Sequence, residues 1–252
     1  MIDPITLKKI ARLSRMDSFT ILREYLQIVL LNTIFQLSPN HQLIFKGGTA
    51  LRLFYGSPRF SEDLDFNSNL SRTTIHKLLS KVLLEAKKVI PQIYFKELNS
   101  IAGFSAKVYL PTPMAPMPLT IKLDFSEREK TQQIIQNTIS TTLPISSFSL
   151  IHVMSEEEIL AEKLRTIFQR HKGRDVYDIW YLLNKRVSIN SELVKSKFKL
   201  IKQKYDQDQV SKQISSFKIT QLKKDLYMFL PQDQRQLVTK IPAIICDKLS
   251  HL

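Results

Sequence analysis

Residues 45–66, FKGGTALRLFYGSPRFSEDLDF, constrain this chain more than any other stretch. Gly47 and Gly48 lack Cβ atoms and lead through Thr49 into the helix-favouring run ALRLF, so main-chain N–H groups at a helix start are open to an anion. Ser61–Phe66 reads as a strand with period two, which puts Asp63 and Asp65 on one side and Leu64 and Phe66 on the other. Two carboxylates on one face repel each other, and a hard divalent cation relieves that repulsion while also binding phosphate oxygens. A later strand-like run, LTIKLDF at 119–125, adds Asp124 between Leu123 and Phe125. Each piece alone has a plainer explanation: a glycine pair is usually a tight turn, and Asp-x-Asp is common in turns and exposed strands. Their combination points to phosphate chemistry.

The pattern around this stretch predicts a mixed α+β region followed by helices. Asp3-Pro4 opens a short helix to about Arg15, and Asp17 or Ser18 caps a second, strongly apolar one from Phe19 to Leu37. Leu43–Phe45 then leads into the glycine pair. Thr73 or Thr74 starts a helix running to about Val89, after which the period changes to that of strands at 93–98, 103–110 and 119–126, with a fourth near 147–153. The proline-rich loop PTPMAPMP makes the second and third of these an antiparallel pair. Ser155 with Glu158 forms a capping box for a helix to about Arg170, and Arg174-Asp175 begins another, VYDIWYLL. Lysine-rich amphipathic helices complete the chain to Leu252. The predicted division is 1–150 and 151–252, with the helical part contributing to the active site.

Net charge narrows the partners. An excess of +14 over 252 residues favours association with polyanions, nucleic acid first and an anionic membrane surface second. The lysines at 195, 197, 199, 202 and 204, and at 218, 223 and 224, form either a solvated face or an RNA-facing stripe. A single cysteine, Cys246 in the apolar run IPAIICDKL, excludes a disulfide framework and a cysteine-rich zinc site. The histidines at 41, 76, 152, 171 and 251 have no metal-ligand spacing. The N-terminus has no signal-peptide pattern and no apolar run is long enough to span a bilayer, so the expectation is a cytoplasmic protein with no membrane partner.

A glycine pair at a helix start, an Asp-x-Asp strand and a third strand aspartate suit nucleotidyl transfer: two metal ions on three carboxylates grip a triphosphate and stabilise departing pyrophosphate. The expected ligands are Asp63, Asp65 and Asp124, for Mg²⁺ with Mn²⁺ as the alternative. Asp124 would stand beside the attacking hydroxyl as shared ligand and proton acceptor. Arg59 and Ser61, before the acidic strand, are placed to touch phosphates, although a surface arginine after proline is as often merely solvated.

The ordered motifs KGGTALRL, RFSEDLDF, IKLDFS and EEEILAEKLRTIFQRHKGRDVYDIWYLL resemble the AbiEii/AbiGii nucleotidyltransferase toxin family, within the DNA polymerase beta-like nucleotidyltransferase superfamily. The resemblance implies a mixed or antiparallel sheet with flanking helices and a helical C-terminal region. It also implies a bacterial toxin of a toxin–antitoxin or abortive-infection (phage-defence) system that uses an NTP to add nucleotides to RNA, the tRNA 3′ acceptor end above all, and a cognate antitoxin. Carried over by motif, Lys46, Gly47, Gly48 and Thr49 meet the nucleotide phosphates, with Arg174 and Asp175 in the nucleotide-binding set. Lys163 and Asp178 become catalytic, the lysine as a point charge on the triphosphate or the leaving group, and Asp178 either orienting that lysine or contacting the nucleotide. On the residues alone, Lys163 also reads as an exposed or snorkelling lysine and Asp175 as a helix cap.

Two other functions fit the same sequence: a non-catalytic basic module that binds RNA or a protein through the lysine-rich helices, and nucleotidylation of a small molecule such as an aminoglycoside. The positive charge weighs against the second, whose cationic substrate calls for an acidic approach.

Overall fold

The computed structural model describes residues 1–38, 42–100, 103–127 and 129–251, so His41 and Leu252 lie outside the described residues. The chain divides into two compact units: Met1–Gly56 with Phe60–Met154, and Ser57–Arg59 with Ser155–Leu252.

The first unit is built on a sheet. Among the described residues it has seven strands: β1 (Leu43–Lys46), β2 (Leu64–Ser68), β3 (Tyr94–Leu98), β4 (Phe104–Leu110), β5 (Leu119–Ser126), β6 (Ile134–Asn137) and β7 (Ile151–Met154). Their order is β3-β4-β5-β2-β1-β7-β6. The β2–β5 and β1–β7 pairs are parallel and the others antiparallel, giving the mixed sheet of an α+β fold. As the proline-rich loop predicts, β4 and β5 pair antiparallel, from Phe104↔Phe125 to Leu110↔Leu119.

Helices α1 (Pro4–Leu13), α2 (Ser18–Leu37), α3 (Gly47–Tyr55) and α4 (Arg72–Val89) belong to the same unit. Asp3 caps α1 by accepting from the N–H groups of Ile5 and Thr6, and Asp17 caps α2 through Thr20 N–H. α2 is buried along most of its length, with Leu26, Ile28, Leu31 and Ile34 fully enclosed, and packs against α1, α4 and β5. Four phenylalanines form the backing of the sheet. Phe45, Phe66, Phe125 and Phe104 lie in register on β1, β2, β5 and β4, all inaccessible, with Phe66 and Phe125 stacked at 4.7 Å between ring centres. Burying four such side chains at roughly 1.5–3 kcal/mol each holds these strands in one register, and a one-residue slip would turn the row outward.

Several boundaries differ from the sequence expectation for physical reasons. α4 starts at Arg72 because Ser71, ahead of Thr73 and Thr74, supplies the cap to Thr74 N–H. The acidic strand begins at Leu64 instead of Ser61, so Asp63 directly precedes it. Of the stretch 147–153 only the end enters β7, since the Ser147 and Ser149 hydroxyls donate instead to the Asn32 side chain and carbonyl on α2. The edge strand β6, four exposed residues without alternation, has no counterpart in the sequence expectation.

The second unit contains α5 (Glu156–Thr166), α6 (Gly173–Asn184), α7 (Ser191–Lys199), α8 (Gln207–Ser215), α9 (Ile219–Leu226) and α10 (Ile241–Ser250), with 3-10 turns at Tyr227–Phe229 and Gln232–Thr239. α5 packs on α6 and α7, and α10 on α6 and α8. Ser155 caps α5 through Glu158 N–H, but the Glu158 carboxylate bonds Lys197 of α7 at 2.6 Å, a fully buried pair between the two helices. α5 stops at Thr166, short of Arg170. α6 starts at Gly173, so Asp175 sits in its first turn.

Candidate active site

In the first unit the register that stacks the phenylalanines also lays a polar row on the opposite face, one residue along each strand. Lys46 pairs with Asp65, Asp65 with Asp124, and Ser105 with Asp124, across β1, β2, β5 and β4. Direct partners in a ladder put their side chains on the same face, so Asp65 and Asp124 are neighbours. The Asp124 carboxylate is fixed from two sides: the Ser105 hydroxyl donates to Oδ1 at 2.7 Å and the Lys122 ammonium to Oδ2 at 2.8 Å. The field of the third carboxylate, Asp63, also reaches Lys122. Burial opposes its charge, but the hydrogen bond to Asp124 and the fields of Asp124, Asp63 and Asp65 prevail and raise its pKa.

The glycine turn closes on the same row. Gly47 has φ of +81°, the left-handed region where a side chain is strained, and a Cβ there would sit 2.5 Å from Asp65 Oδ2. Gly47 is thus required by both its backbone and its closeness to the carboxylate. Gly48 and Thr49 follow in the first turn of α3, buried, and Thr49 donates its hydroxyl to the Asp63 carbonyl at 2.5 Å. That bond fixes the backbone of Asp63 against the start of α3. Lys46, also buried, has Glu129 at 3.7 Å. The Ser61 carbonyl accepts from Gln27 Nε2 at 3.1 Å.

The remaining predicted site residues belong to the second unit. Arg59 grips Asp178 with two hydrogen bonds, Nε to Oδ1 at 2.8 Å and Nη2 to Oδ2 at 2.9 Å. Lys163 donates to Asp175 at 2.8 Å and lies 2.7 Å from Asp178 Oδ2, while Arg170 bonds both oxygens of Asp175. Although burial opposes ionisation of Asp175, Lys163 and Arg170 hold its carboxyl far below the usual carboxylate range. Lys163 stays protonated for the complementary reason: Asp175 and Asp178 outweigh its burial. Asp175 therefore points to cations and not to a backbone cap. Arg174 lies over the Phe229 ring, 5.1 Å from its centre.

Among the described residues no three His, Cys, Asp or Glu side chains converge as a ready-made metal cage. The donor set nevertheless suits a hard cation: Asp65 and Asp124 are in register, and the ammonium of Lys122 draws stabilisation from all three carboxylates. Lys122 and Ser105 are absent from the set that the sequence predicts. Lys122 has a signal, since it lies two residues before Asp124 on the same strand face. Ser105 has none, because only the β4–β5 register brings it there.

The mixed sheet with flanking helices is the fold of a nucleotidyltransferase, and the family to which the chain belongs makes it one. The chain belongs to the AbiEii family, the nucleotidyl transferase AbiEii toxin of type IV toxin–antitoxin systems, whose profile matches residues 29–249. Among solved structures it is similar in fold to MenT4, a nucleotidyltransferase toxin from Mycobacterium tuberculosis H37Rv, at 19% identity and a TM-score of 0.57 over 98% of this chain and 90% of that one. JHP933 from Helicobacter pylori aligns at 21% identity and a TM-score of 0.55, over 94% of this chain and 95% of that one. A putative nucleotidyltransferase from H. pylori aligns at 20% identity and 0.54, over 94% and 98%. Comparison with curated protein sequences gives no match. Among the described residues no helix is long and apolar enough to cross a membrane.

Proposed function

We propose that this toxin transfers a nucleoside monophosphate from an NTP to RNA, at the tRNA 3′ acceptor end, and so blocks translation. The observation that carries this is the polar row Lys46, Asp65, Asp124 and Ser105, with Asp63 and Lys122 beside it and Gly47 against Asp65. The basic surface favours a polyanionic acceptor over a cationic small molecule.

In this mechanism the α3 start and Lys46 meet the triphosphate, and Lys122 neutralises charge beside Asp124. The acceptor 3′ oxygen forms a bond to the α-phosphorus, the bond from that phosphorus to the bridging oxygen of the β-phosphate breaks, and pyrophosphate leaves. The hydroxyl proton passes to Asp124. Asp63, Asp65 and Asp124 would hold Mg²⁺, which when bound supplies phosphate neutralisation and acidification of the attacking hydroxyl. Lys163, Asp175 and Asp178 serve by fixing Arg59, four residues before Asp63 in the chain. A cognate antitoxin is expected to neutralise the toxin in the cell.

The test is incubation of the purified chain with each labelled NTP, Mg²⁺ and total RNA, with Asp63→Ala in parallel. Label in tRNA-sized RNA with the parent alone is the expected result. Label elsewhere, or equal labelling by Asp63→Ala, defeats the proposal.

A further inference from the structure

The second unit contains a cleft of about 700 Å³ that the mechanism above does not use. Ser188 and Ile189 line it ahead of α7, Lys195 and Lys199 on the helix, and Lys204 and Tyr205 after it. Its volume lies in the range of roughly 300–1,000 Å³ typical of small-ligand sites, enough for a nucleotide.

The local sequence builds this lining. Residues 195–204, KSKFKLIKQK, carry five lysines and no acid. Lys202, at φ of +56°, turns the chain at the end of α7, and the Gln203 N–H closes the turn on the Phe198 carbonyl. The turn returns Lys204 and Tyr205 to the same cleft as Lys195 and Lys199. The other four lysines then divide. Lys197 is buried against Glu158, Lys195 has Glu192 at 3.1 Å, and Lys199 and Lys204 have no ion-pair partner among the described residues. The Tyr205 ring stands edge-on to Phe198 at 5.5 Å between centres, and its hydroxyl is buried without a hydrogen-bond partner among the described residues. A concave site thus joins unneutralised ammonium groups to a fixed aromatic ring, an apolar side chain and an unmet phenol.

We propose that this cleft binds the RNA that the toxin modifies, with backbone phosphate on Lys199 and Lys204 and a sugar or base against Tyr205 and Ile189. The ammonium groups match phosphate, the ring offers a surface that any base can meet, and lysines continuing along the segment suit a strand better than a single mononucleotide. The assignment rests on RNA being the acceptor. A free NTP shares the chemistry, and the test separates the two.

Titrate a labelled single-stranded RNA of about ten nucleotides into the full chain across about 50–200 mM salt. The variants are Asp63→Ala, Lys199→Ala/Lys204→Ala, and Lys8→Ala/Lys9→Ala, whose lysines are exposed on α1. Asp63→Ala and the α1 double variant should bind as the parent does. Lys199→Ala/Lys204→Ala, melting as the parent does, should bind about tenfold more weakly at the lower salt, with a salt slope smaller by about 1.4, as two single-strand phosphate contacts require. Unchanged RNA binding in that variant, or an equal loss from the α1 pair, overturns the proposal. So does a labelled NTP whose binding falls with Lys199→Ala/Lys204→Ala as steeply as that of RNA. Incorporation is measured separately: a parent that binds RNA through the cleft yet incorporates no nucleotide defeats the transferase mechanism and leaves the cleft intact.

Discussion

Two clusters in this chain use the same residue types to opposite ends. In the first unit Lys122 and Asp124 are 38% and 35% exposed and share a face with Asp65. In the second unit Arg59 and Asp178 are 2% and 0% exposed, with Lys163 and Asp175 beside them. A half-exposed carboxylate exchanges its lysine for a metal or a phosphate-bound cation at little cost, because water already solvates both partners. A buried one cannot, since each partner it lost would remain as an unpaired charge. Motif analogy alone treats Asp124 and Asp178 alike, whereas the first is partly exposed beside one lysine and the second is sealed between Arg59 and Lys163.

The sharpest way to break this contrast is to remove one carboxylate charge from each cluster. Asp124→Asn keeps its shape and relieves repulsion with Asp65, so denaturant unfolding should change by less than about 1 kcal/mol. Nucleotide incorporation should fall by about 10²–10⁴-fold, the range for loss of a positioned proton acceptor. Asp178→Ala should show the reverse profile. It strands Arg59 and Lys163 in the interior, with an expected loss of about 3–5 kcal/mol of stability, and activity declines with the folded fraction. An Asp178→Ala chain that unfolds like the parent but has lost all activity would make this cluster catalytic and erase the distinction.

The glycine turn sharpens the comparison from the side of the backbone. Gly47→Ala places a Cβ against Asp65 in a left-handed conformation, with an expected destabilisation of about 1–3 kcal/mol. Incorporation should fall by more than stability does, because the displaced group is the site carboxylate itself. Thr49→Val should weaken the hold on Asp63 by about 1 kcal/mol, read from the same unfolding curves.

The Asp3 and Asp17 caps, the buried α2, the β4–β5 pair and the position of the glycine turn are all legible in the amino-acid sequence, because each follows from a local pattern. The polar row is half legible: period two puts Asp63 and Asp65 on one side, but only the parallel β2–β5 pairing brings Asp124 beside Asp65. Such pairing joins residues far apart in sequence, and a single sequence carries no sign of which strands meet when no short loop joins them. The fate of Arg59 and Lys163 is illegible for a different reason. A charged residue beside proline, or on an amphipathic helix, reads as exposed unless its partner is known, and the partners of both lie on α6.

Acid stability gives the most specific separation of the two clusters. The folded-state pKa of Asp175 is depressed, so its contribution is fully present above the unfolded carboxylate value of about 3.9 and is lost as pH falls toward the folded value, at about 1.4 kcal/mol per unit of depression. Lys163 has the opposite sign: its raised pKa stabilises below the unfolded value of about 10.4, and that contribution fades as pH rises through the folded one. Melting temperature followed from pH 7 down to about 2 should therefore drop for the parent below about pH 4. Asp175→Asn should start lower at neutral pH and converge on the parent in acid, since it has no depressed carboxylate to protonate. Asp124→Asn, at a carboxylate a third exposed to solvent, is followed over the same range as the variant of the other cluster. Curves for Asp175→Asn and the parent that stay parallel through pH 4 would show that the buried cluster does not couple folding to protonation, and that burial alone does not distinguish these two sets of charges.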